Sequence, residues 1–435
     1  SYALLFVMAC TLLDGPDAPH RRALGREHLD AAIARQFYAD GGYIQQSHNY
    51  HRLALQVLLC ACRCLEQSGE AAPAAWRDAL RRSLAFLHAH QNDSDGRLPN
   101  YGFNDGGLPL LLSICDYADF RPTLQALSIY LDDARIYPAG PWDEEAAWLL
   151  GPDRVAKAEL HQAQRTSRCF SSGHAVIRQG DDSFATFRCG SLRDRFSQMD
   201  MLHVDVWWRG LNVLCDAGSY QYNGEPSINA HFMATASHNT VTVDGHDQMV
   251  HHRRFKVLYW TRAAMLAWSD TAASGEHYGF ERHGCVHRRS LLSPPGKSPG
   301  WIVVDTVHAT AANTPGRPHQ LRLQWLAGYP CRQEGERVVM DTPAGARPIT
   351  VVAPSGLLPI AIEQGWLSRH YGQRDEVPSL VVSQRTPLPS TLVTAIGVDV
   401  TCADGGLRID GEAGPHWLDL RAVDRGALPR LEASA

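Results

Sequence analysis

The sequence predicts an α+β, two-domain protein. A helical half packs as a curved array or ring, and a large antiparallel β-sandwich follows. Three observations carry this. The chain has 435 residues, more than a single hydrophobic core usually serves. Apolar residues recur at helical spacing through the first third. From about residue 165 their period changes to two. The predicted domains are residues 1–150 and 151–435. Residues 137–165, with Pro138, Gly140, Pro141 and Pro152, read as the connection.

The spacing predicts helices over residues 23–38, 50–65, 73–87, 108–116, 122–136 and 142–150. Asp40-Gly41-Gly42 closes the first. Leu53, Val57, Leu58, Ala61 and Leu65 form the stripe of the second, and Trp76, Leu80, Leu84 and Leu87 that of the third. Repeated helix pairs bury their faces by stacking side by side. In the second half, GHAVIRQGDDSFATFRCG reads as a hairpin turning at Gly180-Asp181-Asp182. HVDVWW and LNVLCD form another around Arg209-Gly210, and HNTVTVDG ends in a turn at Asp244-Gly245. RRSLL, WIVVDTV, LRLQWLA, RVVMD, ITVVA and SLVVSQ supply further short strands.

Composition excludes some partners. Net charge is -5 and no long Lys/Arg run occurs, so nucleic acid is not expected. An acidic substrate fits, because a locally basic surface can sit on a mildly acidic protein. No apolar run is long enough to span a bilayer. The 11 cysteines show no paired framework, and Cys60, Cys62 and Cys64 alternate in a predicted helix, reading as core thiols. SYALLFVMACTLL lacks an initiating Met and a basic leader, and reads as the tail of a helix that starts upstream.

Two longer runs carry a resemblance. SQMDMLHVDVWWRGLNVLCDAGSYQYN contains D-x-G-x-Y-x-Y, and FMATASHNTVTVDGHDQ follows it. Together they resemble the heparinase II/III-like polysaccharide lyases, whose relatives include alginate lyases. DGGYIQQSHNYHRLALQ resembles a helical segment of that family, and NYGFNDGG one of its cleft loops. The likeness runs from about residue 1 to about residue 310. It implies an (α/α) toroid, here lacking its N-terminal part, ahead of the antiparallel β domain. It implies β-elimination on a uronate-containing acidic polysaccharide, in a bacterial protein that is periplasmic or secreted, with a cytoplasmic location as the alternative. No organic cofactor is expected, and the oligomeric state stays open.

Such chemistry needs a donor for the carboxylate's developing charge, a base for the proton and an acid for the leaving oxygen. The resemblance places Tyr50, in SHNYHR, at the family's catalytic tyrosine. From the residues alone, Tyr50 reads first as a helix-capping packing residue, and the resemblance reverses that order. Gln46, Asn49 and His51 are candidates for substrate contact. Asn104 and Asp105 are further candidates, although Asn-Asp-Gly is also plain turn chemistry. An Asn or His that the family carries one repeat earlier would precede residue 1.

His238, in ASHNT, is the sheet-side catalytic candidate. The resemblance also implies zinc, held by Asp216, His238 and a third ligand. Relatives carry His-x-His-x-Asp where this chain reads Phe196-Ser197-Gln198-Met199-Asp200. Asp200 matches, and Gln198 is left as the third candidate, a poor zinc ligand. His203 lies five residues on from Gln198, on the opposite strand face by alternation, and shares a face with Asp205 and Trp207. That arrangement needs no function. Tyr222 could stack on a sugar, with Tyr220 beside it. Arg253, in HDQMVHHRRFK, could pair with uronate carboxylates or lie in a solvated loop.

Two other readings remain. A glycoside hydrolase would need a carboxylate pair, with Asp40, Asp105, Asp143, Glu144 and Glu145 to supply it. A non-catalytic or biosynthesis-associated glycan-binding protein would account for the missing His-x-His.

Overall fold

The computed structural model describes residues 6–7, 10, 15–161, 164–253, 255–296, 299–403, 406–411, 414–419 and 431–433. Most of SYALLFVMACTLL lies outside these residues. The chain divides into two compact units, Ser1–Arg165 and Thr166–Ala435.

The first unit is helical, with helices Ala18–Gln36, His48–Gln67, Ala74–His90, Arg121–Asp132, Asp143–Leu150 and Pro152–Lys157. Ser47 caps His48–Gln67. Its Oγ accepts from Tyr50 N at 3.2 Å and donates to Phe103 O at 2.5 Å. A side-chain cap of this kind satisfies an amide that has no partner inside the helix. The buried stripe of the next helix includes Trp76, Leu80 and Leu87 as expected, while Leu84 is only half-buried.

One expected helix is absent. Residues 108–116 run as a loop, with Leu111 and Ile114 79% and 82% exposed. Pro109 lacks a donor, and the residue before it is biased away from helix. Side chains then take the backbone groups that helix bonds would have used. The Gln56 amide donates to Leu110 O and accepts from Leu110 N, each at 3.3 Å, and Ile114 N donates to Glu144 at 2.9 Å.

The second unit is antiparallel β. Its largest sheet has nine strands, among them Cys285–Leu292, Trp301–Ala309, Gly345–Ala353 and Ser390–Ile396. Both faces of this sheet are covered. Leu291, Trp301, Val303, Ile349 and Leu392 join one core with Val204, Val206, Val241 and Leu323 of the five- and four-stranded sheets. Leu292, Ile302, Val304, Val352 and Val393 join another with Leu407, Ile409 and Leu418 of the last sheet. Alternating side chains therefore serve two cores, as strand geometry dictates. The five-stranded sheet carries the hairpin Val204–Trp208 and Leu211–Leu214. Its turn residues Arg209 and Gly210 have φ of 51° and 75°, the left-handed pair a two-residue hairpin loop needs. Among the described residues, no helix is long and apolar enough to cross a membrane.

Candidate functional site

In the helical unit, Tyr50 occupies the first turn of His48–Gln67, where the Ser47 cap fixes the chain's entry. Its hydroxyl donates to Asp105 Oδ2 at 2.8 Å. Asp105 belongs to a loop shaped by its own side chains. Asn104 Oδ1 accepts from Gly106 N and Asp105 Oδ1 from Gly107 N, each at 2.8 Å. This is the turn chemistry expected of Asn-Asp-Gly-Gly, and it also presents a carboxylate to the tyrosine.

Tyr117 lies beside this pair, a neighbour that the sequence did not single out. Its hydroxyl is hydrogen-bonded to Asn49 Oδ1 and lies 2.8 Å from Asn104 Oδ1. Arg52 donates to Asn49 Oδ1 at 3.1 Å and to Tyr117 O at 2.6 Å, with its guanidinium 4.2 Å from the Phe120 ring centroid. The Asn49 carbonyl is thus fully engaged, while its Nδ2 is buried with no hydrogen-bond partner. Gln46 is held at φ 52°, donating to the Tyr38 hydroxyl at 3.2 Å and accepting from the Tyr101 hydroxyl at 2.7 Å. His51 turns away from solvent. It is 1% exposed and stacks on Tyr43 at 5.5 Å. Burial, aided by His48, lowers its pKa to about 3. The expected substrate contact by His51 does not match this placement, because a helical residue next to Tyr50 faces the aromatic interior.

In the β unit, Asp216 follows the strand Leu211–Leu214, and His238 follows the short turn Thr235–Ser237. His238 Nδ1 lies 3.2 Å from Asp216 Oδ2. The third member of the group is His203, with Nε2 3.7 Å from the same oxygen. One ligand atom from each of the three lies within 4.8 Å of the others. All three residues are buried, and Nε2 of both histidines lacks a hydrogen-bond partner.

The expected grouping named Gln198 in place of His203, and Gln198 Oε1 is buried with no hydrogen-bond partner. Gln198 Nε2 donates to Gly218 O at 2.6 Å and Phe232 O at 3.1 Å, tying two loops together. His203 comes close to Asp216 because the strand begins only at Val204. Leu202 before it has φ 61°, so the alternation that set His203 on a packing face does not reach it.

A second layer holds the three residues. Asn239 N donates to His203 Nδ1 at 3.0 Å, and Asn239 Nδ2 donates to Val204 O at 2.9 Å and Cys215 O at 3.0 Å. Arg289 Nη1 donates to Leu202 O at 2.7 Å and also to Asn239 O, while Asp305 pairs with its guanidinium at 2.6 Å. Charge is divided unevenly. Burial would raise the Asp216 pKa, but His238 and His203 hold it below the ordinary carboxylate value. Burial opposes charge on His238, yet Asp216 raises its pKa, whereas burial lowers His203 to about 3. Burial, then Asp216, pushes Asp205 up to about 8. Asp200 is buried in an ion pair with Arg188 at 3.0 Å. Tyr222 is half-buried, its ring 5.3 Å from Phe255 and 5.7 Å from Tyr371. Arg253 is exposed on the strand Val250–Arg253.

The Asn239 signal was present in the sequence, inside S-H-N-T. Arg289 shares the inward face of Cys285, His287 and Leu291, so its burial was legible from alternation but its partners were not.

The family described as Heparinase II/III-like, C-terminal matches residues 163–409. Among solved structures, a heparan sulfate lyase from Pedobacter heparinus is similar at 16% identity and TM-score 0.72, over 100% of this chain and 66% of that one. A heparinase III gene product is similar at 17% identity and TM-score 0.71, over 96% and 64%. Another heparinase III is similar at 12% identity and TM-score 0.72, over 96% and 66%. At these identities the likeness is one of fold, and the chain spans 64% to 66% of the length of these lyases. A search of curated protein sequences finds no match.

Proposed function

The chain belongs to the heparinase II/III-like family, and from that membership we propose that it is a polysaccharide lyase cleaving a uronate-containing acidic chain by β-elimination. Its helical unit would then be part of an (α/α) toroid. The observation that carries the chemistry is the 2.8 Å hydrogen bond from the Tyr50 hydroxyl to Asp105. A phenol paired to a carboxylate is a donor–acceptor couple through which a proton can pass.

In β-elimination the proton beside the sugar carboxylate leaves, the bond to the β oxygen breaks, and an unsaturated uronate remains. Tyr50 is the residue for this proton traffic, as base or as acid to the leaving oxygen. The uncommitted Asn49 Nδ2 is a donor for the carboxylate's developing charge. Asn104 and Gln46 contribute to substrate positioning. His238 takes its place with His203 and Asp216 as a proposed zinc site. The donor set of two imidazoles and a carboxylate suits zinc, and each imidazole has a buried Nε2 with no hydrogen-bond partner. Bound there, zinc would supply fixed positive charge beside a buried carboxylate.

The test is incubation with heparan sulfate, alginate, hyaluronan and a bacterial exopolysaccharide, following the ultraviolet absorbance of unsaturated uronate. We expect a rise on at least one polymer, lowered by about a hundredfold or more in Tyr50→Phe, as loss of a general acid–base group predicts. A rise unaffected by Tyr50→Phe removes Tyr50 from the chemistry. Tight binding with no absorbance change moves the protein to the glycan-binding class.

A further inference from the structure

The hairpin of Val250–Arg253 and Lys256–Leu258, with the two residues after it, forms a surface that neither candidate centre uses. Leu258 pairs with Val250 and Lys256 with Arg253, and the register shifts between Lys256 and Val257. Val257 turns inward, at 5% exposure. Around it five large apolar side chains face solvent within residues 250–260. Phe255, Tyr259 and Trp260 are 50%, 72% and 41% exposed, with Val250 and Leu258 beside them. Single exposed apolar residues are ordinary, but a cluster on one hairpin marks an interaction surface.

Phe255 and Tyr259 have φ of 58° and 55°, a region that a Cβ disfavours. Phe255 meets Tyr222 edge-on at 5.3 Å. Trp260 Nε1 donates to Val257 O at 2.9 Å, and its ring lies 6.4 Å from Phe196. Charge selects the occupant. His252, Arg253 and Lys256 are exposed among the rings, and the sequence has no carboxylate between Asp247 and Asp270. On a chain of net charge -5 this hairpin is a cationic stretch of sequence.

We propose that this hairpin binds a non-reacting stretch of an anionic, uronate-bearing glycan, its rings stacking on apolar sugar faces while Arg253 and Lys256 pair with carboxylates. This rests on the reading of the substrate as an acidic polysaccharide. Binding energy from such a remote stretch favours long chains over short ones.

The experiment measures binding of alginate, heparan sulfate, neutral dextran and single-stranded DNA to the full chain by tryptophan fluorescence and calorimetry. It compares wild type with Phe255→Ser/Tyr259→Ser and with Arg253→Gln/Lys256→Gln. All four substitutions are on exposed positions, and circular dichroism checks folding. We expect each double variant to weaken binding of an anionic polymer about tenfold, with a shallower salt dependence in the charge variant. Wild-type affinity in both variants overturns the proposal, as does failure of the wild type to bind either anionic polymer. Equal affinity for dextran removes the charge argument, and preference for DNA reassigns the surface. Weakened variants of a protein that forms no unsaturated product would keep this site and sink the lyase reading. Unaffected variants of an active lyase would do the reverse.

Discussion

Asn239 uses every polar atom of its side chain. Nδ2 reaches Val204 O and Cys215 O, and Oδ1 accepts from Leu326 N at 2.7 Å. It thereby fixes the neighbours of His203 and Asp216 while standing next to His238 itself. Asn239→Ala leaves two carbonyls and an amide buried without partners. We expect a loss of at least about 3 kcal/mol, read by denaturant unfolding, since each orphaned buried group costs about 1–3 kcal/mol. A loss below about 1 kcal/mol would mean that the loops hold themselves. Glu145 makes a pH prediction in the other unit. Burial raises its pKa from 4.5 to about 7, against hydrogen bonds from Thr123 and Gln56. The folded state therefore keeps a proton that the unfolded state releases between those values. The neutral acid's contribution is complete below pH 4.5 and is lost as pH rises through about 7, on the order of 3 kcal/mol in all. Glu145→Gln should flatten that slope and be more stable than wild type at pH 8. Parallel melting curves for the two proteins across the window would remove Glu145 as the source.

At the scale of elements, one hydroxyl joins the two parts of the tyrosine centre. Ser47 Oγ caps the helix that carries Tyr50 and bonds Phe103 O, two residues before Asp105. Ser47→Ala should cost about 1–2 kcal/mol and lower turnover as well, because the helix start and the loop lose their common tie. Wild-type stability and turnover in this variant would show that the tie is not needed. The same elements show what the sequence made legible. The 48–67 helix was readable over 50–65 because its apolar stripe and its length agree, while the Ser47 cap was not read. The 204–214 hairpin was readable because Arg209-Gly210 is a two-residue turn between alternating runs. The 108–116 loop was not, because Leu-Pro-Leu-Leu-Leu has helical apolar spacing yet its backbone is taken by Gln56 and Glu144 from distant positions. His203 failed similarly. Its position beside Asp216 depends on where a strand starts, and that is set by the Leu202 turn and by Asn239 rather than by local pattern.

For the whole molecule, the two units should respond separately to metal. Each contains its own candidate centre, and the proposed zinc ligands all lie in Thr166–Ala435. A ligand that binds only the folded state stabilises it by about 2.7 kcal/mol at a hundred times its dissociation constant. Zinc added to chelator-treated protein should therefore raise the unfolding temperature of the β unit and leave the helical unit's transition in place, as followed by calorimetry. Because the ligands must shed protons, the rise should weaken as pH falls below the ordinary histidine range. Substitution separates the rival third ligands. His203→Ala should abolish the zinc-dependent rise, whereas Gln198→Ala should retain it after lowering the baseline through loss of the Gly218 and Phe232 bonds. The reverse pattern would return Gln198 to the metal. If zinc shifts no transition in any variant, the buried His238–Asp216 pair is sufficient by itself, and Asp216 is held ionised by imidazolium rather than by metal.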